Sequence, residues 1–145
     1  MILIVDDDPD VLYTVKVILQ KEGFEVEMAN DGEEALELLK TLTPELIILD
    51  VMMPNVDGWG VLKGVRNDER LKEIPVVMLT VKSIKSYTVM ERDVLDIIKY
   101  LVKPFTRGKM SQEELIDRGA RFFWIDKPFD RETLVKKVRT ILEDF

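Results

Sequence analysis

The chain has 145 residues, 28 of them acidic and 21 basic, for a formal net charge of −7, and it contains neither cysteine nor histidine. Those absences exclude disulfides, thiolate nucleophiles, Cys/His zinc sites, Ser-His-Asp or Cys-His catalysis and a phosphohistidine on this chain. Any metal must be held by oxygen ligands, which favours Mg²⁺, Ca²⁺ or Mn²⁺, and the acidic balance argues against a nucleic-acid backbone as a direct partner.

Short apolar runs alternate with helical patterns along the chain. The runs fall at 2–5, 24–29, 46–51, 76–80 and 122–126. Most are continuous rather than alternating, as expected of strands buried on both faces of a parallel sheet. Between the first two, Asp8-Pro9 reads as a helix start with Asp as N-cap and Pro in the first turn. Val11, Leu12, Val15, Ile18 and Leu19 then form one stripe, and Gly23 stands where a C-terminal cap is wanted. Asp31-Gly32-Glu33-Glu34 starts a second helix with Ala35, Leu36, Leu38 and Leu39 inward. A third helix is predicted over 57–68 through Trp59, Leu62 and Val65, and a last one over 133–142 through Leu134, Val135, Val138 and Leu142.

Strand alternating with helix predicts a doubly wound α/β fold with right-handed crossovers. The expected sheet is five-stranded and parallel, in the flavodoxin-like order 2-1-3-4-5, with helices on both faces. Residues 1–145 read as a single domain. No apolar run approaches the ~20 residues of a membrane span, and the first residues lack a secretory pattern, so a cytoplasmic location is expected.

In such a sheet, ligands bind beyond the carboxyl ends of the strands. Asp6, Asp7 and Asp8 follow the first strand, Asp50 the third, Thr80 the fourth and Lys127 the last. Neighbouring first and third strands would let Asp6, Asp7 and Asp50 converge. Two unit charges ~4 Å apart repel by about 4 kcal/mol at an effective dielectric of ~20, so such a group needs a cation, and Mg²⁺ suits it. A lone Asp after a strand is usually only a cap or turn residue, and Asp8 before Pro9 reads that way.

Several segments together resemble the receiver domain of two-component response regulators. They are Ile2-Leu3-Ile4-Val5-Asp6-Asp7-Asp8-Pro9, Leu49-Asp50-Val51-Met52-Met53-Pro54 with Asp57-Gly58, Val77-Met78-Leu79-Thr80 and Lys127-Pro128-Phe129. The resemblance implies that Asp50 is the phosphoacceptor, attacking the phosphoryl group of a phosphohistidine on a sensor histidine kinase or phosphotransfer protein. It implies Mg²⁺ on Asp6, Asp7, Asp50 and the Met52 carbonyl. Lys127 would pair with the phosphoryl group, and Thr80 would hydrogen-bond to it after transfer. One position departs from the family pattern: the residue after the threonine is usually small, and here it is Val81.

Lys103-Pro104-Phe105 duplicates Lys127-Pro128-Phe129, 24 residues earlier. Lys103 has the family's usual spacing from Thr80, and Tyr100-Leu101-Val102 also reads as a strand. The second copy has the better flanks. Residues 113–120 look like the family's fourth helix with a Gly-Ala exit, and a proper helix follows Thr133. On that alignment, which favours Lys127, residues 82–110 form an inserted helical segment ahead of helix 4. It packs back on the domain, or it contacts a partner or a second copy in a homodimer.

The leading function is therefore a stand-alone receiver phosphorylated on Asp50, signalling by altered binding to a downstream protein, with no contact to nucleic acid or membrane. It would catalyse only its own phosphorylation and dephosphorylation and so would not be an enzyme acting on other substrates. The alternatives are a phosphorylation-independent scaffold of the same fold and a metal-dependent phosphatase built on Asp6-x-Asp8. A flavodoxin-like FMN carrier is disfavoured because the loop after the first strand is acidic where a phosphate cradle needs backbone amides.

Overall fold

The structure, a computed structural model, describes residues 1–50, 53, 55–81, 122–127 and 129–144. Five strands are present: β1 (Ile2–Val5), β2 (Val26–Ala29), β3 (Leu46–Asp50), β4 (Val76–Val81) and β5 (Phe122–Lys127). They form one parallel sheet in the order β2-β1-β3-β4-β5, as expected. Among the described residues the helices are α1 (Pro9–Lys21), α2 (Gly32–Leu38), α3 (Gly58–Asn67) and a last helix, Arg131–Asp144. The proposed insertion at 82–110 and Lys103 lie outside the described residues.

The strands carry apolar side chains on both faces, and each face has its own core. Leu3, Val5, Ile47, Leu49, Val76 and Met78 pack with Ala35, Leu39, Val61, Leu62 and Val65 of the α2–α3 side. Ile2, Ile4, Leu46, Ile48, Val77 and Leu79 pack with Leu12, Val15 and Leu19 of α1 and with Leu134, Val138 and Ile141 of the last helix. Burying each such side chain is worth about 1.5–3 kcal/mol. The last helix buries Ile141 and leaves Leu142 half-buried. Its inward stripe keeps the predicted Leu134 and Val138 and gains Ile141, with Leu142 packed at the edge of the same core.

Local signals act where the sequence put them. Asp8 caps α1, accepting the Asp10 amide at 2.9 Å, with Pro9 in the first turn. At the other end Gly23 adopts φ +90°. Its amide reaches the Gln20 carbonyl at 3.0 Å, and the Phe24 amide reaches the Leu19 carbonyl at 3.1 Å. This pair closes the helix in a Schellman motif, which a residue with a side chain would strain. It also explains why β2 begins at Val26 and not at the expected 24: the amide of Phe24 is committed to the helix.

Arg66, on α3, is only 7% exposed. Its guanidinium donates to the carbonyls of Ile74 at 2.7 Å and Lys72 at 3.0 Å, stapling α3 to the turn that leads into β4. Across the sheet, the carboxylate of Glu22 accepts from Arg131 and Arg139 of the last helix, each at 2.7 Å. Arg139 also lies 5.6 Å from the centre of the Phe24 ring. The hydrogen bond from Arg139, then that from Arg131, hold the Glu22 carboxyl below its ordinary value of 4.5.

A carboxyl lowered by folding stabilises above its unfolded value and loses that contribution as pH falls through the folded one. Glu22→Gln should therefore lower the thermal midpoint at neutral pH, with the two midpoints converging in acid below the ordinary value of 4.5. Thermal scans from about pH 7 down to about pH 3 measure this. A gap that stays constant across that range would assign the effect to packing instead of charge.

Candidate functional site

The site is assembled by register. Val5 of β1 lies opposite Leu49 of β3, so the next residue of each strand path, Asp6 and Asp50, emerges side by side. Asp7 follows in the loop that rises to the α1 cap. Carboxylate oxygens of Asp6, Asp7 and Asp50 all lie within 4.8 Å of one another. Asp6 is fully buried, Asp50 is 7% exposed and Asp7 faces solvent. The Asp8 amide donates to Asp6 Oδ1 at 2.9 Å, which fixes the Asp6 carboxylate in orientation. Asp57 caps α3 by accepting the Gly60 amide at 2.9 Å, and so belongs to the helix start and not to the cluster.

The other expected residues stand at strand ends beside this cluster. Asp50 pairs in register with Leu79, so Thr80 is one step beyond it on β4. Thr80 pairs with Asp126 and Val81 with Lys127, which makes Lys127 the final residue of β5. The backbone therefore lines up the carboxyl ends of β1, β3, β4 and β5 in one row. Met52 lies outside the described residues.

Three hard oxygen donors, two of them buried, fit a small divalent cation and fit no soft metal. The donor set suits Mg²⁺, which is commonly held by few carboxylates together with waters and a phosphate oxygen. The donor set is thus that of a hard-cation site and not of a hydrolytic zinc centre.

The response regulator receiver domain model matches residues 2–115 of this chain. The chain belongs to that family. As a receiver it takes the phosphoacceptor part in two-component signalling. It is 36% identical over 141 residues to the DNA-binding dual master transcriptional regulator RpaA of Synechocystis sp., a match covering 97% of this chain and 48% of that protein. The chain spans about half the length of the curated relatives it matches. Among solved structures, the chemotaxis response regulator CheY4 of Vibrio cholerae superposes with a TM-score of 0.69 at 30% identity, covering 97% of this chain and 96% of that one. The receiver domain of the sensor histidine kinase PA1611 from Pseudomonas aeruginosa shares the fold, with a TM-score of 0.71 at 20% identity and coverage of 98% and 96%. That structure has a magnesium ion coordinated in its active-site cleft.

The family match ends at residue 115, between the two Lys-Pro-Phe motifs, so it takes in Lys103 and stops short of Lys127. The strand beside β4 is nevertheless 122–127. The receiver's described helices include none long and apolar enough to cross a membrane. Sequence reading missed the buried Arg66 and the seat of Val56 on Gly32, where a side chain would meet the Val56 carbonyl oxygen. Arg66 could have been found, since it follows Leu62 by four residues on the inward stripe of α3.

Asp7 faces solvent, so when no cation is bound its carboxylate repels that of Asp6 and that of Asp50 by about 1 kcal/mol each at this spacing in a water-like dielectric. Asp7→Asn removes both of these pairs and should therefore raise the unfolding free energy of the metal-free receiver by about 2 kcal/mol. Urea unfolding in the presence of a chelator measures it. An unchanged or lower value would mean that neighbouring donors already offset the repulsion.

Proposed function

We propose that Asp50 is the phosphoacceptor of this receiver. The observation that carries this reading is the gathering of Asp6, Asp7 and Asp50 at adjacent strand ends of a receiver fold. An oxygen of the Asp50 carboxylate attacks the phosphorus of a phosphohistidine on a sensor histidine kinase or phosphotransfer protein. The P–N bond breaks, its electron pair stays on the imidazole nitrogen, and an acyl phosphate forms on Asp50.

Asp6, Asp7, Asp50 and the Met52 carbonyl would hold Mg²⁺, whose charge offsets that of the transferring phosphoryl oxygens. Burial of Asp6 and Asp50 lowers the local dielectric and strengthens every charge interaction there. Lys127 supplies a cation from the β5 end. Thr80 donates its hydroxyl to the phosphoryl group once transfer is complete, which draws the loop after β4 toward the site. The chain thus catalyses only its own phosphorylation and dephosphorylation. It signals by a changed affinity for a downstream protein, and it works in the cytoplasm. The net charge of −7 supports a protein, and not a nucleic-acid backbone, as the direct partner of these residues.

Pairing of 122–127 with β4 supports Lys127 as the site lysine. The boundary of the family match supports Lys103 as the second reading.

Incubation with a small phosphodonor and Mg²⁺ should add a single phosphoryl group, seen by intact-mass spectrometry, and Asp50→Asn should abolish it. A labelled Asp50→Asn protein overturns the assignment. Lys127→Ala should leave a labelled receiver that no longer changes its binding partner affinity, while Lys103→Ala behaves as wild type; the reverse pattern moves the lysine to residue 103.

A further inference from the structure

The chain between β1 and α1 is held by a series of hydrogen bonds. The Asp6 amide donates to the Ala29 carbonyl at the end of β2, at 3.2 Å. The Asp8 amide donates to Asp6 Oδ1 at 2.9 Å. The Asp10 amide donates in turn to Asp8 Oδ1, also at 2.9 Å. The Leu12 amide then donates to the Asp8 carbonyl at 3.1 Å and opens the helical ladder. Asp6 and Asp8 thus repeat one step, each carboxylate accepting the amide two residues ahead.

Asp8 holds the middle of this series. Its backbone is extended, with φ −90° and ψ 111°, as suits an N-cap. Its carboxylate is committed to the Asp10 amide and stands outside the group that Asp6, Asp7 and Asp50 form. Asp8 therefore faces two ways. Its side chain grips the first turn of α1, and its amide grips a buried carboxylate of the metal site. With Oδ1 and the carbonyl oxygen both anchored to α1, the orientation of the Asp8 Cα is set, and with it the place of the amide nitrogen. Pairing of β1 places the backbone of Asp6; the Asp8 amide bears on its side chain.

The helix is a firm base for this grip. Leu12, Val15 and Leu19 are buried in the core on that face of the sheet, and Pro9 fixes φ in the first turn. Loss of the Asp8 carboxylate would release the Asp10 amide and fray the first turn, and the body of α1 would stay in place.

We propose that Asp8 is a positioning residue for the carboxylate site. By capping α1 its side chain holds its own amide against Asp6, and that bond presents Asp6 to Mg²⁺ beside Asp7 and Asp50. The cation then meets a carboxylate that is already oriented. This inference rests on the Mg²⁺ reading above.

The test titrates Mg²⁺ alone into the full chain by isothermal calorimetry and records the thermal midpoint in chelator separately. Asp8→Ala should weaken Mg²⁺ binding by ~10-fold, the usual scale for losing support behind a metal ligand. Asp8→Gly removes the same acceptor at a smaller cost to the helix, should weaken binding in the same direction, and decides alone if Asp8→Ala does not fold. Asp8→Asn keeps a good cap and gives up the charge, so it should bind Mg²⁺ nearly as wild type does. Glu22→Gln gives up the same charge at the far end of α1, so it should lower the midpoint and leave Mg²⁺ affinity unchanged. Wild-type affinity in a folded Asp8→Ala or in Asp8→Gly overturns the proposal. So does a loss of the same size in Asp8→Asn or in Glu22→Gln. Failure of the underlying reading looks different: the wild-type receiver would bind no Mg²⁺, or Asp6→Asn would bind it as well as wild type.

Discussion

The alignment of β1 with β3 is the constraint on which the rest depends. Pairing Val5 with Leu49 brings two chain segments 44 residues apart to the same height. Aspartate follows β1 and ends β3, so like charges meet at the sheet's carboxyl edge. A buried pair such as Asp6 and Asp50, within 4.8 Å and at an effective dielectric of ~20, repels by at least about 3 kcal/mol. Each fully buried strand side chain returns about 1.5–3 kcal/mol, and β1 and β3 together bury eight aliphatic residues. Burial therefore outweighs repulsion by a wide margin. The sheet can hold carboxylates closer than solution would allow, and that closeness creates demand for a cation.

The two ends of α1 then serve different purposes. At its start, the Asp8 cap leads through the Asp8 amide to the Asp6 carboxylate. At its end, the last helix is drawn against Glu22 by two guanidiniums. That contact is far from the carboxylates and secures the domain's closure. The carboxylates adjoin the start of α1 and the clasp adjoins its end, so chemistry and closure are separated by the length of that helix, about 20 Å.

Much of this was legible from residue order. Strands buried on both faces declare themselves as unbroken apolar runs, and Asp8-Pro9 and Gly23 act locally, so their signals survive without tertiary context. Asp6, Asp7 and Asp50 were legible because a polar residue ending a fully apolar run must lie at a strand's mouth. Three other things were not. The start of β2 shifted because a helix-closing bond claims the Phe24 amide. The last helix also buries Ile141, a position beside the predicted stripe, because its inward face is set by packing on the α1-side core. The Val56 seat joins residues from separate helices and a loop, and a glycine at a helix start gives no hint of what lies above it. The duplicated Lys-Pro-Phe is a deeper case. Both copies have similar local grammar; the second lies in the strand paired with β4, and the first lies within the family match.

The Glu22 cluster has a consequence in time as well as in energy. Its bonds join residues 109 and 117 positions apart, the widest separations among the hydrogen bonds described. Every strand pair in the sheet is also non-local, and contacts of long sequence separation wait on chain closure before they reward it. If the clasp between α1 and the last helix closes after the sheet is assembled, it lies outside the folding nucleus. A contact made that late slows unfolding and leaves the folding rate nearly unchanged. For a protein exposed to proteases, the clasp then acts as a brake on opening, and it lengthens the lifetime of the folded state more than it hastens its arrival.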